Sequence, residues 1–273
     1  MNNLVLKNKN CFITGATGGL GKEIAKALAK YDCNLFLTSN DNVNTQQFLN
    51  EIKEINSTIK IIFEKGDLTN DEFLGNIIQK SKELGEIDIL VNSAGIFPLK
   101  SISDSSMKDF DKCFRINVRV PFRLIKEFSK NMMKKKWGRI INIGSSSAYI
   151  GVKDSSIYCS TKHALLGLSR STFNELKEFN IRTFCISPGS MKTEMGKMSG
   201  EITNQNYDTF IDPKESSEID IQTGWNTNSA GFNNELNKIK VVSDIVMYRR
   251  EFSKLGLIDV PKKELTCEFV PKT

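Results

Sequence analysis

The residues of this 273-residue chain best suited to chemistry lie between Ser145 and Lys162. Tyr158-Cys159-Ser160-Thr161-Lys162 sets a phenol and an ammonium at i and i+4, on one face of any helix that carries them. With Ser145 upstream, a hydroxyl, a phenol and an ammonium can converge on one reacting oxygen. A Tyr-x-x-x-Lys pair is short enough to arise by chance in a Lys-rich chain with 5 Tyr. Its meaning therefore depends on the elements that would position it.

Residues 139–143 are a β-branched run that stops in Gly144-Ser145-Ser146-Ser147-Ala148, the pattern of a buried strand ending in a polar loop. Ser145 then stands at a strand's carboxyl end, where open α/β sheets bind ligands. Near the start, an apolar strand at 10–14 runs into Gly15-Ala16-Thr17-Gly18-Gly19-Leu20-Gly21 and an Ala-rich helix over 22–29. Strand, glycine turn and helix make a phosphate-binding layout: the glycines admit a pyrophosphate and the helix N-terminus offers free N–H groups. A Walker loop fails at both ends, with Ala16 where its first Gly belongs and Glu23 after the Lys. Further strands are predicted at 34–38, 60–63 and 86–91, the last two followed by Gly66-Asp67-Leu68 and Asn92-Ser93-Ala94-Gly95. Helical patterns between them predict βαβ units and a parallel sheet.

A helix predicted over 105–133 places Phe110, Phe114, Asn117, Val118 and Phe122 at three- and four-residue steps, which puts Asn117 on an apolar, inward face. Pro121 has no N–H to give the carbonyl of Asn117, so that carbonyl is free for a water or a ligand. Composition narrows the reading further. The 6 Cys are scattered, with no C-x-x-C pair and a single His, so neither zinc nor a disulfide framework is indicated and a reduced, cytoplasmic protein is expected. The net charge of +6 is spread among many acids, which argues against a nucleic-acid partner. No apolar run reaches the length of a membrane span or signal peptide.

In order, these motifs resemble the short-chain dehydrogenase/reductase family over about residues 4–194. Its T-G-x-x-x-G-x-G pattern is met by Thr14, Gly15, Gly19 and Gly21, its N-x-A-G by Asn92, Ala94 and Gly95, its acidic residue after the third strand by Asp67, and its P-G turn by Pro188-Gly189 after a strand at 181–186. The resemblance implies one doubly wound Rossmann-type α/β domain with a mostly parallel, seven-stranded sheet, and the β-branched run at 239–247 reads as the last strand. It maps the catalytic positions onto Asn117, Ser145, Tyr158 and Lys162, with the Ser thirteen residues before the Tyr. It implies an NAD(P) crevice lined by Gly15, Thr17, Gly19, Leu20, Gly21, Ser39, Asn40, Asp67, Leu68, Asn92, Ala94, Gly95, Tyr158, Lys162, Pro188, Gly189, Met191 and Thr193. A substrate lid is expected at 194–213, and residues 224–273 depart from the family pattern.

The implied reaction interconverts a carbonyl and a secondary alcohol, with Tyr158 as acid or base, Ser145 on the substrate oxygen and Lys162 also on the nicotinamide ribose. Asn117 would hold, through its carbonyl, a water relaying protons to Lys162. An ammonium ~5 Å from the phenol at an effective dielectric of ~20 contributes ~3 kcal/mol, which would lower the phenol by a little over two pKa units. The family's pairing of two long helices, here 105–133 and 155–179, implies a homotetramer or homodimer. Ser39 stands where NAD-preferring relatives place an Asp, so the group that repels a 2′-phosphate is missing and NADP is favoured, with Asp41 as the residue that could restore a preference for NAD. A hydrolase is disfavoured because His163 points about 100° away from Lys162 on the helix and the serine run is no G-x-S-x-G elbow. A catalytically idle dinucleotide-binding scaffold is the remaining alternative.

Overall fold

The computed structural model describes residues 6–40, 45–203 and 206–214. Six strands, β1 (Asn10–Thr14), β2 (Asn34–Ser39), β3 (Ile61–Lys65), β4 (Ile89–Asn92), β5 (Gly138–Ile143) and β6 (Ile181–Ile186), form one parallel sheet in the order β3-β2-β1-β4-β5-β6. The chain moves outward from β1 to β3, then returns to lay β4 on the other side of β1. That reversal opens a crevice between the carboxyl ends of β1 and β4. The strand expected at 239–247, the atypical segment 224–273 and Asp41 lie outside the described residues.

Each strand feeds a helix, and period-two alternation sends its side chains to two cores. On one face Ile13, Leu35, Leu37, Val91 and Ile141 pack with α1 (Gly19–Lys30) and α2 (Thr45–Ile55). On the other, Phe12, Phe36, Leu90 and Ile140 meet α3 (Asp71–Lys80), α5 (Val120–Lys135) and the end of α6 (Ser156–Leu176). Phe12 stacks on Phe36 at 4.8 Å and leans on Phe128 at 5.0 Å, which fixes the spacing of β1, β2 and α5. At the carboxyl end of the sheet the second face turns polar. Thr38, Thr14, Asn92, Asn142 and Cys185 are successive register partners across five strands, a polar rung under the crevice.

The helix expected over 105–133 is α4 (Met107–Phe114), a π-helical turn (Arg115–Arg119) and α5. A capping box of Ser106 and Asp109 starts it. Its inward stripe is Ile116, Val120, Leu124, Phe128 and Met132, not the aromatic series read from the sequence. Phe110 and Phe122 are 37% and 53% exposed, so the helix carries a second, outward apolar stripe. Asn117 is buried, as expected, but at the flank of the inward stripe. The π turn comes where Pro121 withholds an N–H, and Val120 N–H there bonds back five residues to Arg115.

Candidate active site

The glycine loop is held shut by backbone contacts that leave no room for side chains. Gly15 has φ +63°, and a Cβ there would lie 2.8 Å from the Ala94 backbone. A Cβ on Gly21 would clash with the Gly15 carbonyl oxygen, so α1 starts directly against the turn. Thr14 Oγ1 accepts the N–H groups of Ser93 and Ala94, both at 3.1 Å, and so ties the ends of β1 and β4 together. Gly18 caps α1 without a side chain and the first turn holds no acid, which suits the helix end to an anion. Leu20 is buried beneath it.

Two of the four expected catalytic side chains, Tyr158 and Lys162, come from α6. Its buried positions Tyr158, Lys162, Leu165, Ser169, Thr172 and Leu176 follow at four- and three-residue steps, a single stripe facing the sheet. Tyr158 and Lys162 occupy the first two places of that stripe, where a structural helix would carry leucines. Burial therefore follows from the helical period, and it places the ammonium 5.4 Å from the centroid of the phenol ring. Lys162 Nζ donates to the Ile143 carbonyl at 2.7 Å, at the end of β5. Two residues on, Ser145 Oγ accepts the Ser147 N–H at 3.1 Å and stabilises the charged form of Tyr158 by hydrogen bonding. Ser146 N–H reaches the Pro188 carbonyl at 3.2 Å, anchoring the serine loop on the turn after β6.

Electrostatics here run against the expectation of a lowered phenol. Burial pushes Tyr158 up to about 12, with Ser145 opposing it, and burial brings Lys162 down to about 8. The dry surroundings penalise both charges more than their separation compensates.

Asn117 joins this group from the π turn. Its Oδ1 accepts Ile96 N–H at 2.9 Å, while Nδ2 reaches Ile96 C=O and Thr161 Oγ1, each at 3.0 Å. Thus Asn117 fixes the loop after β4 to α6. A Cβ on Gly95 would stand 3.4 Å from Asn117 Oδ1 and 3.8 Å from Lys162 Nζ, so this glycine opens the space between them.

The expected dinucleotide residues are placed unevenly. Thr17 and Ser39 are both buried, and Thr17 Oγ1 donates to Ser39 Oγ at 2.6 Å. Asn40 and Asp67 are exposed at the ends of their strands, and Asp67 accepts Thr69 N–H at 2.8 Å beside buried Leu68. The Asn92 carboxamide lies within the polar rung, donating to Asn142 Oδ1 at 2.7 Å, while its own Oδ1 is buried with no partner. Beyond Pro188-Gly189, Met191 forms an isolated bridge with Ile211, so the segment that includes α7 (Glu194–Thr203) leaves and rejoins the frame at one point. Thr193 Oγ1 accepts Gly196 N–H at 3.0 Å, and its methyl takes the place a Cβ on Gly19 would need.

Phe97, Cys113 and Thr161 were not anticipated. The Phe97 ring meets Tyr158 edge-on at 4.6 Å, and Cys113 Sγ accepts from Asn117 Nδ2 at 3.3 Å. Phe97 and Thr161 were within reach, the first in the loop after N-S-A-G and the second on the inward face of α6; the Cys113 contact depends on α4 meeting α6. His163 is exposed on the other side of α6, its Nδ1 bonded to Cys159 C=O at 2.9 Å, remote from any role with Ser145.

A model of the family described as short chain dehydrogenase matches residues 9–203. The chain is 35% identical over 205 residues to "Uncharacterized oxidoreductase YgcW" of Escherichia coli strain K12, covering 73% of this chain and 77% of that one. It is 34% identical over 190 residues to 3-oxoacyl-[acyl-carrier-protein] reductase FabG of Rickettsia felis, covering 70% and 76%. Among solved structures, levodione reductase superposes with a TM-score of 0.73 at 22% identity, over 79% of this chain and 90% of that one.

Proposed function

Because the chain belongs to the short-chain dehydrogenase family and is an NAD(P)-dependent oxidoreductase, we propose that it interconverts a carbonyl and a secondary alcohol with Tyr158 as acid and base. The observation that carries this reading is the convergence of Tyr158, Lys162, Ser145 and Asn117 beside Gly95, next to the glycine cradle. Gly15, Gly19 and Gly21, with the uncapped start of α1, fit a pyrophosphate, and Thr17, Ser39, Asn40, Asp67 and Leu68 line the way to an adenosine. Asn92, Ala94 and Gly95, then Pro188, Gly189, Met191 and Thr193, border the nicotinamide end. A nicotinamide bound there supplies or accepts the hydride.

In the reducing direction Tyr158 donates its proton to the substrate oxygen, and Ser145 holds that oxygen by a hydrogen bond. A phenol pushed up to about 12 is fully protonated at neutral pH and ready to donate. Lys162, engaged with the Ile143 carbonyl, stabilises the phenolate left behind and positions the cofactor ribose. Asn117 offers its backbone carbonyl to a water on the proton path, while its side chain keeps Ile96 and Thr161 in place. Phe97 forms one wall of the substrate pocket against Tyr158.

Ser39 at the end of β2 removes the carboxylate that would repel a 2′-phosphate, which supports NADP over NAD. The outward stripe of exposed Phe110 and Phe122, with half-buried Phe114 packed on Phe110, lies on a helix that also packs on α6 and supports a homo-oligomer formed through these helices. Turnover of a panel of ketones and secondary alcohols, read by nicotinamide absorbance, tests the reaction. Tyr158→Phe should abolish it and leave dinucleotide affinity within about twofold, because the phenol acts on the substrate oxygen in the transition state. Rates like the wild type's in that variant would refute the assignment.

A further inference from the structure

We propose that Asn142 and Ser169 are positioning residues for the reaction, a buried clamp that sets Lys162 and Tyr158 of α6 against the end of β5; the inference rests on the Tyr158 reading above. Asn142 directly precedes Ile143, whose carbonyl receives Lys162 Nζ at 2.7 Å. Its Nδ2 donates to Ser169 Oγ at 2.8 Å, and Ser169 Oγ donates in turn to the Leu165 carbonyl of α6 at 2.7 Å. Its Oδ1 accepts from Asn92 Nδ2 at 2.7 Å. One carboxamide therefore joins the ends of β4 and β5 to the helix that carries the phenol and the ammonium. It receives on oxygen and gives from nitrogen, which neither a carboxylate nor an apolar side chain of the same size can do. Asn92, Asn142 and Ser169 are all buried, so these bonds form where the local dielectric is low and their geometry is strongly enforced.

The placement of this link ties it to the chemistry. Ser169 lies two turns beyond Lys162 on the same buried stripe, about 10.5 Å along the helix by its rise. Lys162 and Ser169 thus hold adjacent residues of β5, the first through a long flexible side chain and the second through a short one. The lysine follows wherever the helix goes, whereas the serine fixes where the helix is. Leu165 and Leu166 between them are buried, but apolar burial is non-directional and sets no exact slide or roll of α6. The start of α6 supplies no such anchor, because Ser155 makes no side-chain cap bond there. A displacement of α6 along β5 would draw Nζ from the Ile143 carbonyl and the phenol from Ser145 together, since Ser145 follows Ile143 by two residues. Misplacement by about 1 Å at a reacting group costs on the order of a hundredfold in rate. Asn92 opens the stretch that carries Gly95 beside Lys162, so the same relay aligns that loop with the helix.

Steady-state kinetics of the full chain, with a carbonyl substrate taken from the panel above, test the clamp. Ser169→Ala retains a good helix former and should lower kcat by about tenfold to a hundredfold, with KM and the affinity for ADP within about twofold of the wild type's. Ser169→Thr keeps the hydroxyl and should retain most of the rate. A loosened Nζ loses an acceptor that favours its charged form, so the alkaline limb of the kcat profile should move to lower pH in Ser169→Ala. Tyr158 of α6, Cys113 of α4 and Cys185 of β6 are the titratable groups acting on Lys162, and none of them is altered. A kcat for Ser169→Ala within twofold of the wild type's, a loss equal at every pH, or a Ser169→Thr as slow as Ser169→Ala overturns the clamp and leaves the Tyr158 reading standing. If the wild type turns over no carbonyl or alcohol with either dinucleotide, that reading falls and this inference with it.

Discussion

The Asn117 carboxamide holds both backbone polar groups of Ile96, accepting its N–H at 2.9 Å and donating to its C=O at 3.0 Å. A side chain from a helix here completes what a neighbouring strand would otherwise supply to a loop. Asn117→Ala leaves those groups and Thr161 Oγ1 to find other partners. We expect a loss of ~2 kcal/mol in urea denaturation together with a fall in kcat, because the same loop carries Gly95 next to Lys162. Unchanged stability in this variant would mean that the Ile96 bonds contribute nothing net.

Two glycines of the cradle separate folding from binding. A Cβ on Gly21 would collide with the backbone oxygen of Gly15, whereas one on Gly19 would meet only the movable side chain of Thr193. Gly21→Ala should therefore lower stability by ~1–3 kcal/mol. Gly19→Ala should leave the melting temperature nearly unchanged and weaken dinucleotide binding in a fluorescence titration. The reverse pattern would contradict the cradle.

Titration of the buried pair gives stability a defined pH dependence. Lys162 drops its proton at about 8 when folded, against 10.5 for an ordinary lysine, so between those values the unfolded chain binds more protons and this group makes stability rise with pH. Tyr158 keeps its proton to about 12 when folded, against 10.0, so it makes stability fall above pH 10. Denaturant midpoints should show the wild type gaining on Lys162→Met from pH 8 to pH 10, by on the order of 2 kcal/mol, and losing on Tyr158→Phe above pH 10. A flat difference in both comparisons would remove burial as the governing effect.

The outward aromatic stripe predicts assembly. Phe122→Asp places a carboxylate on a side chain that is 53% exposed, so the monomer's fold should tolerate it while a helix-to-helix interface should not. Light scattering at micromolar concentration should give an oligomer for the wild type and a smaller species for the variant. A monomeric wild type would rule the interface out.

Strands, glycine loop and the stripe of α6 were legible in the sequence because each is set by local period or by a backbone requirement. The six described strands lie at or within a few residues of their expected positions, and Tyr158 and Lys162 share a face as i and i+4 require. The aromatic series of the 105–133 helix was misread because that helix carries two apolar stripes, and periodicity does not say which one meets the sheet. The upward shift of Tyr158 was not legible for a related reason: the i and i+4 spacing sets its separation from Lys162, but not the dryness that α4, Phe97 and the sheet impose. The Thr17–Ser39 bond and the pairing of Ser39 with Lys65 depend on strand register, which no single segment of sequence contains.

The bridge between Met191 and Ile211 brings the two ends of the segment that includes α7 together at one place on the frame. Because the excursion through α7 departs and returns at one anchored point, its contour can be rewritten without disturbing β6 or the glycine cradle. Closing a flexible loop twice as long costs only ~0.6 kcal/mol more. We propose that this segment is the substrate lid, so that its replacement by one from a relative changes which carbonyls turn over and leaves dinucleotide affinity as it was.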